Sequence, residues 1–254
     1  MSTLLEAQQL RVAVPGRTLI ESFEGAIRAG EFIALLGGNG AGKSLLLRTL
    51  AGLRAPSNGK VLVDGRDIAT ISRREIATRL GFLPQDPDAP PQGSLRENVL
   101  LGRFSHLGFW EAAGADDAKR VARALADVGL EALAARELGT LSGGEQRRAA
   151  IARLLVQAPS IYLLDEPTNH LDPAQQIGIL DRLRSLTRNG AAVIASLHEP
   201  NLALRFADRA CLLSGDGAAG MVDCAVLETG HLDRLYGIRY VETRLGQQRF
   251  MAPG

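Results

Sequence analysis

The sequence predicts an α/β protein built on a parallel β-sheet, with an N-terminal antiparallel β subdomain and an inserted α-helical subdomain. Three short apolar runs predict the sheet, at residues 32–36, 161–164 and 191–197. Runs that are apolar at every position are typical of strands buried on both faces, as parallel strands are. Each run leads directly into polar residues, and ligands of open α/β sheets bind beyond the carboxyl ends of the strands. The sequence therefore predicts one functional edge of the sheet.

The composition excludes several classes of protein. The chain has 254 residues, of which 46% are hydrophobic and 22% charged, as in ordinary globular domains. Its net charge of +1 provides no overall field that would attract nucleic acid or an anionic membrane. Cys211 and Cys224 are too few for a disulfide framework, so we expect buried free thiols in a reducing compartment. We expect neither a membrane span, which needs a run of about 18–20 apolar residues, nor a secretory signal.

The N-terminal part predicts short antiparallel strands joined by turns. Residues 3–30 alternate between apolar and polar, and Pro15 and Gly16 provide a turn signal. A further strand at 61–63 runs into the turn residues Asp64 and Gly65.

The middle of the chain predicts a helical insertion. The predicted helices are residues 95–101, 117–128 and 130–138, separated by Gly108, Gly114 and Gly129. The proline-rich stretch 86–93 predicts a linker that leads into them. We therefore predict a single domain, with residues 86–157 as a helical subdomain inserted between the two parts of the core, 1–85 and 158–254.

A glycine-rich loop follows the first apolar run and precedes an apolar helical run. It reads GGNGAGKS and matches the pattern GxxxxGK[ST], which is typical of phosphate-binding loops. The candidate phosphate-binding residues are Gly37, Gly38, Asn39, Gly40, Ala41, Gly42, Lys43 and Ser44. Backbone N–H groups of such a loop and the helix N-terminus attract anions. Lys43 is predicted to reach the β- and γ-phosphates, and the Ser44 hydroxyl to bind Mg²⁺.

The other two apolar runs end in candidate catalytic side chains. Asp165 and Glu166 follow the second run, and His198 follows the third. Asp165 is predicted to hold Mg²⁺, directly or through water, and Glu166 to activate an attacking water as a general base. His198 is predicted to hydrogen-bond the γ-phosphate and to help place that water.

A second predicted anion site lies at the start of an amphipathic helix, in the segment LSGGEQ at residues 141–146. Ser142 and Glu145 fit a capping box, which by itself explains a well-capped helix. Gly143 and Gly144 lower helix stability, so their presence favours a phosphate that approaches the backbone closely.

Together these motifs resemble those of the ABC ATPase family, the nucleotide-binding subunits of ABC transporters, over nearly the whole chain. The matching segments are residues 37–44 (Walker A), Gln85 (Q-loop), 141–146 (signature motif), 161–166 (Walker B), 170–172 (D-loop) and His198 (H-loop). The resemblance implies a P-loop NTPase (RecA-like) core that hydrolyses ATP. It also implies Mg²⁺ as cofactor, with Ser44, Gln85 and Asp165 as the metal-contacting residues.

The same resemblance implies the partners of the chain. Two copies would pair head to tail, so that Ser142, Gly143 and Gly144 of one copy contact ATP held by Walker A of the other. Closing and opening of this homodimer would drive separate transmembrane permease subunits, and a substrate-binding protein would deliver the solute. We expect no nucleic-acid partner and a peripheral location at the cytoplasmic face of the inner membrane.

The sequence departs from the family pattern at two positions near the nucleotide. Leu45 stands where family members usually have Thr or Ser, although a hydroxyl–phosphate hydrogen bond contributes about 1.5–3 kcal/mol. Val14 stands where an aromatic residue usually stacks on adenine, a contact that contributes about 1–3 kcal/mol. We therefore predict weak nucleotide affinity and poor discrimination of ATP from GTP.

Two segments are similar to importer ATPases for iron–siderophore, haem and cobalamin. They are residues 94–110, with the pattern GRxxH at 102–106, and residues 171–176. Phe104, Phe109 and Trp110 are interpreted either as core of the helical subdomain or as a surface that receives a permease helix. We therefore predict the ATPase subunit of a metal-chelate importer.

The alternatives are the ATPase of another ABC transporter, importer or exporter, and a non-transport ABC ATPase acting on ribosomes or DNA. The latter usually has two cassettes or a long coiled coil, which this sequence lacks. A degenerate module without turnover is a further alternative, against which the presence of Glu166 and His198 argues.

Overall fold

The computed structural model describes residues 2–85, 92–108, 111–246 and 248–254. Its strands are β1 (Thr3–Val14), β2 (Arg17–Arg28), β3 (Phe32–Gly37), β4 (Asn58–Val63), β5 (Arg66–Asp67), β6 (Leu80–Leu83), β7 (Ile161–Leu164), β8 (Ala192–Ser196), β9 (Arg209–Leu213), β10 (Ala219–Asp223), β11 (Tyr240–Leu245) and β12 (Gln248–Pro253). Its α-helices are α1 (Lys43–Leu50), α2 (Arg73–Arg79), α3 (Leu95–Leu100), α4 (Ala115–Asp127), α5 (Gly143–Gln157), α6 (Pro173–Arg188), α7 (Pro200–Phe206) and α8 (Thr229–Tyr236).

The central sheet has the order β10-β9-β3-β8-β7-β6, and all its strands except β10 run parallel. The three strands predicted from apolar runs are confirmed as β3, β7 and β8, and they are neighbours in the sheet. Both faces of β3 are buried: Phe32 and Leu36 pack into one hydrophobic cluster, and Ile33 and Leu35 into the other. Burial on both faces explains why the sequence of this strand is apolar throughout.

The second sheet is antiparallel, with the order β2-β1-β4-β5. The antiparallel prediction for the N-terminal part is confirmed, but the strands are longer than predicted, with 12 residues each in β1 and β2. They pair up to the turn at Pro15 and Gly16, where Val14 lies opposite Arg17. A bulge with Gln9 at φ +45° lets β1 continue through its irregular pairing. Helix α1 packs into the cluster that these strands share with the central sheet.

Helices α3, α4 and α5 form the predicted insertion, in chain order between the paired strands β6 and β7. The third predicted helix, at 130–138, is wrong: this segment forms only two 3₁₀ turns, Glu131–Leu133 and Leu138–Thr140. The carbonyl groups of Ala134 and Arg136 accept hydrogen bonds from the first N–H groups of α3, so they are not used in a local helix. Such a short segment is also a poor isolated helix.

The GRxxH residues hold the turn after α3 in place. A Cβ on Gly102 would lie 2.3 Å from the backbone oxygen of Arg153, so only glycine permits this approach to α5. Arg103 pairs with Asp117 at 2.7 Å, and Nε2 of His106 lies 2.7 Å from the last backbone oxygen of α5, that of Gln157. This pattern therefore has a structural explanation within the helical region.

Other predictions fall on surface residues or outside the described residues. Phe104 is 66% exposed, which excludes it from the core of the helical region. Residues 86–91 of the predicted linker, together with Phe109 and Trp110, lie outside the described residues. Within the described part of the chain, the helices are all too short or too polar to span a bilayer.

The C-terminal region adds two strands to the central sheet and a separate hairpin. It contains β9 and β10 at one edge of the central sheet, then α8 and the hairpin of β11 and β12. Cys211 and Cys224 are free and buried, as predicted, and burial raises the pKa of each thiol to about 12. Both thiols are therefore protonated and unreactive at neutral pH.

Candidate active site

The predicted phosphate loop lies between the carboxyl end of β3 and the start of α1. Gly42 has φ +99°, a left-handed conformation that glycine adopts without a steric cost, and it caps the helix that begins at Lys43. A Cβ on Gly37 would lie 2.5 Å from the backbone oxygen of Leu213 on β9, so the start of the loop also requires glycine. Strand, loop and helix therefore have the order and geometry of an anion site at a helix N-terminus.

Lys43 lies across this loop rather than projecting into solvent. Its Nζ donates to the backbone oxygens of Gly37 at 2.7 Å and of Gly38 at 3.1 Å. Burial lowers the pKa of the Lys43 ammonium, and the negative charges of Glu166 and Asp165 oppose that shift. The ammonium is thus held at the loop, with two carboxylates as its electrostatic partners.

A cavity of about 540 Å³ opens beside the loop. Its lining comprises Leu19, Asn39, Gly40, Ala41, Gly42, Lys43, Ser44, Leu45, Gln85, Glu166 and His198. Residues predicted from three separate strand ends therefore meet at one site. Leu45 is part of the described lining and Val14 is not, so of the two departures from the family pattern only Leu45 lies at the cavity itself.

Glu166 has both carboxylate oxygens engaged by nitrogen donors. Its Oε1 lies 2.8 Å from Nε2 of His198, and its Oε2 accepts from Nε2 of Gln85 and from Nδ2 of Asn169, each at 3.2 Å. The side chain of Glu166 is 9% exposed, whereas that of His198 is 51% exposed. Neighbouring side chains therefore hold both oxygens of Glu166 in position.

Asp165 and Glu166 are further fixed by a serine on the neighbouring strand. The hydroxyl of Ser196, which is fully buried at the end of β8, donates to Oδ1 of Asp165 at 2.8 Å. The same hydroxyl accepts from the backbone N–H of Glu166 at 2.7 Å. Within the described ranges of the chain, no hydrogen bond is found to the second oxygen of Asp165, and a carboxylate oxygen is a ligand that suits a hard cation.

The second predicted anion site is structurally separate from this cavity within the chain. Ser142 caps α5 and forms the predicted capping box with Glu145, and neither residue is part of the described cavity lining. A Cβ on Gly143 would meet open space, whereas one on Gly144 would lie 2.9 Å from the backbone oxygen of His170. The two glycines therefore differ: Gly144 is required by packing on the 170–172 loop, and only Gly143 leaves room for an incoming ligand.

Three residues at the site were not predicted from the sequence: Ser196, Asn169 and Arg147. Ser196 interrupts an otherwise apolar run, which was a usable signal. Arg147 lies within the polar positions of an amphipathic helix, yet it is 3% exposed and donates to the backbone oxygens of Gln85 and Glu166. No local pattern distinguishes it from Arg148, which follows it.

Comparison with known proteins gives the family. Residues 20–169 match the family described as ABC transporter. The chain is 40% identical to the hemin import ATP-binding protein HmuV of Rhodopseudomonas palustris, over 100% of this chain and 96% of that protein. It is 36% identical to the ferric enterobactin transport ATP-binding protein FepC of Escherichia coli, over 92% of this chain and 88% of that protein.

Solved structures give the same result. An inward-facing putative metal-chelate type ABC transporter matches with a TM-score of 0.83 and 27% identity, over 99% of this chain and 98% of that chain. A bacterial ABC transporter cassette solved as a dimer matches with a TM-score of 0.78 and 29% identity, over 87% of this chain and 99% of that chain. The chain belongs to the ABC transporter family, as one of its ATP-binding, ATP-hydrolysing subunits.

Proposed function

We propose that ATP binds in the cavity beside the phosphate loop and that Glu166 is the general base of its hydrolysis. The main support is the position of Glu166, which lines this cavity. One of its carboxylate oxygens contacts His198, and the other accepts hydrogen bonds from Gln85 and Asn169. A base held in this way is oriented before the substrate arrives. General-base catalysis contributes about 10²- to 10⁴-fold to the rate of a reaction.

In the proposed reaction Glu166 takes a proton from a water molecule while that water attacks the γ-phosphorus. The bond from this phosphorus to the β–γ bridging oxygen breaks, and the electron pair remains on ADP. Lys43 and the N–H groups at the start of α1 stabilise the negative charge on the phosphoryl oxygens. His198 orients Glu166 before ATP binds, and its Nε2 N–H then donates to the γ-phosphate in competition with Glu166.

Mg²⁺ fits the residues at this site. Mg²⁺ prefers oxygen ligands and is commonly held by one or two carboxylates together with substrate phosphates. The described residues contain no group of three or more His, Cys, Asp or Glu that could hold a metal ion by themselves. We propose that Ser44, Asp165 and Gln85 hold the ion, directly or through water. When bound, it would neutralise charge on the β- and γ-phosphates.

We further propose that the working unit is a head-to-tail homodimer. Ser142, Gly143 and Gly144 are absent from the described lining of the cavity in their own chain, and Gly143 faces open space. A helix N-terminus with exposed N–H groups suits the γ-phosphate of ATP held by a second copy. The related cassette that was solved as a dimer supports this pairing.

The transported solute is proposed to be a metal chelate: haem, an iron–siderophore or cobalamin. The chain is similar over most of its length to HmuV and FepC, which are named for hemin import and for ferric enterobactin transport, and these names support the proposal. We propose that a separate permease binds the helical region near the exposed ring of Phe104, and that a substrate-binding protein delivers the solute. The chain would then lie peripherally at the cytoplasmic face of the inner membrane. We propose that the helical subdomain comprises residues 86–157.

The hydrolysis step is tested with the Glu166→Gln variant. The matched control is Glu199→Gln, which replaces an exposed carboxylate next to His198 in the sequence. We expect Glu166→Gln to bind ATP, form a dimer that survives gel filtration and hydrolyse about 10²- to 10⁴-fold more slowly, because the amide cannot accept a proton. Glu199→Gln should retain the wild-type rate. Wild-type turnover by Glu166→Gln would show that Glu166 is not the base.

The transport role is tested by purifying the tagged chain from membranes of its native cell and identifying the proteins that accompany it. We expect a polytopic permease, and this complex in proteoliposomes should hydrolyse ATP faster in the presence of a metal chelate and its binding protein. Co-purification with ribosomes, or a complex that moves the chelate outward, would contradict the proposal.

A further inference from the structure

The side chain of Arg147 connects two loops of the site to one helix. Its Nη1 donates to the backbone oxygens of Pro84 at 2.5 Å and Gln85 at 3.0 Å, just beyond β6. Its Nη2 donates to the backbone oxygens of Asp165 and, at 2.7 Å, Glu166, just beyond β7. One guanidinium therefore joins the ends of two neighbouring parallel strands, and those ends carry Gln85 and Glu166.

The helix that supplies this guanidinium also begins with the second anion site. Arg147 lies on α5 one turn after Gly143 and Gly144. The start of α5 and both loops are therefore connected through one helix and one buried side chain. Gln85 also contacts Glu166 directly through their side chains, so the two loops move with respect to each other only if this contact changes.

The backbone at Glu166 needs such support. Its φ of +50° is left-handed, a conformation that non-glycine residues adopt at a cost. The hydrogen bond to its carbonyl oxygen from Arg147 and the one from its N–H to Ser196 fix the peptide groups on both sides of this residue. A planar fork with several donors can bond two loops at once, whereas an ammonium is a single point of charge.

We propose that Arg147 is a positioning residue that couples the signature end of α5 to the loops carrying Gln85 and Glu166. Occupation of Ser142–Gly144 by the nucleotide of a second copy shifts α5, and Arg147 passes that shift to the catalytic base. Hydrolysis is thereby tied to dimer closure. This inference rests on the proposed roles of Glu166 and of the signature residues.

The test measures kcat and KM for ATP in Arg147→Met and Arg147→Lys, with Arg148→Met as the matched control. Arg148 also bonds to backbone oxygens, those of Val128 and Gly129, but these lie within the helical region. For Arg147→Met we expect kcat to fall about 10- to 100-fold with KM changed by less than about threefold, because the base is displaced while the phosphate loop is intact. Arg147→Lys should be intermediate, and Arg148→Met should keep the wild-type kcat.

A purely structural role gives a different result. In that case the loss of activity in Arg147→Met follows the fraction of unfolded protein, and kcat per folded molecule is unchanged, which overturns the proposal. Full activity of Arg147→Lys also overturns it, because one point charge then suffices. If Arg147→Met does not fold, Arg147→Lys is compared with wild type instead. An unchanged kcat per folded molecule, or full activity, would then overturn the proposal.

A second measurement separates coupling from nucleotide binding. Placed in the Glu166→Gln background, Arg147→Lys should still form the ATP-dependent dimer, since Ser142–Gly144 are untouched. Loss of the dimer would assign Arg147 to assembly and overturn its role in coupling. The two possible failures can be told apart. If Glu166 is not the general base, the Glu166→Gln variant with Arg147 intact hydrolyses ATP at the wild-type rate, whatever the Arg147 variants do.

Discussion

Nε2 of His198 lies 2.8 Å from Oε1 of Glu166, so residues from the ends of two adjacent strands, β8 and β7, meet at the mouth of the phosphate-loop cavity. The histidine is half exposed and the glutamate almost buried. This contact leaves the ring able to donate to only one acceptor from Nε2 at a time. A γ-phosphate entering the cavity therefore competes with Glu166 for the same N–H.

Replacement of His198 by alanine should lower kcat for ATP by about 10- to 100-fold, because Glu166 loses the donor that orients one of its oxygens. KM for ATP should change little, since the phosphate loop is intact. Steady-state ATPase measurements over a range of ATP concentrations separate the two parameters.

His231→Ala is the matched control for this variant. His231 is a ring at the start of α8 that accepts from the N–H of Glu228, and it is not part of the described cavity lining. The His231→Ala variant should hydrolyse ATP at the wild-type rate. A His198→Ala protein as active as His231→Ala would remove His198 from the proposed mechanism.

The two signature glycines should respond differently to alanine. Gly144→Ala places a Cβ 2.9 Å from the backbone oxygen of His170, so the 170–172 loop or α5 must shift, and we expect a lower thermal unfolding midpoint. Gly143→Ala meets open space and should keep or slightly raise that midpoint, since alanine favours a helix by about 0.5–1 kcal/mol.

Dimer formation should respond to Gly143→Ala, the substitution that leaves the monomer stable. If a phosphate approaches Gly143, a methyl group there weakens the ATP-dependent dimer of the Glu166→Gln protein without destabilising the monomer. Analytical ultracentrifugation with and without ATP, alongside calorimetry, measures both effects. A Gly143→Ala variant that dimerises normally would contradict the proposed approach of the phosphate.

Val14→Tyr should strengthen ATP binding and increase its preference over GTP. An aromatic ring at this position would provide the base stacking that valine lacks, worth about 1–3 kcal/mol, or about 5- to 150-fold in Kd. Isothermal titration with ATP and GTP measures both quantities. Ala13→Tyr is the control, because neighbouring side chains on a strand point to opposite faces. Sub-micromolar, adenine-selective binding by the wild type would contradict our interpretation of Val14.

The sequence predicted those parts of the site that local patterns specify. The loop 37–44 and the strand-end residues Asp165, Glu166 and His198 depend on glycine spacing and on apolar runs, and both are visible within a few residues. Arg147 and Ser196 were missed, because their partners are long-range: the hydrogen bonds to the backbone and side chain of Asp165 cross 18 and 31 residues of chain. Such contacts follow only from strand order.

The errors in the fold have the same origin. Residues 130–138 have the composition of a helix, yet their carbonyl groups at Ala134 and Arg136 bond to the start of α3. Strand β6 has four residues and its apolar run is interrupted by Gly81, and its place at the sheet edge follows from its pairing with β7. In both segments, tertiary hydrogen bonds determine the structure, and local sequence propensity is ambiguous or misleading.

Asp208 joins three elements, and its replacement by asparagine should destabilise the fold. Its carboxylate accepts two bonds from Arg184 on α6, at 2.6 and 2.7 Å, and one from the N–H of Phe32 at the start of β3, at 2.9 Å. Burial raises the pKa of Asp208, but the hydrogen bonds from Arg184 and Phe32 outweigh this, so that its net pKa is lowered. Since this side chain is partly exposed, we expect a loss of about 1–2 kcal/mol in the free energy of unfolding at pH 7.

The pH dependence of that loss follows from the sign of the shift. A carboxyl group whose pKa is lower in the folded state contributes stability above its ordinary pKa, and this contribution disappears as the pH falls through the lowered, folded-state value. The difference in unfolding free energy between wild type and Asp208→Asn should therefore be full at neutral pH and shrink only in strong acid. Denaturant titrations at several pH values measure it, with Asp116→Asn, from an exposed pair with Lys119, as the control that should show no difference. A difference that stayed constant down to the lowest pH would show that Asp208 acts through packing and not through its charge.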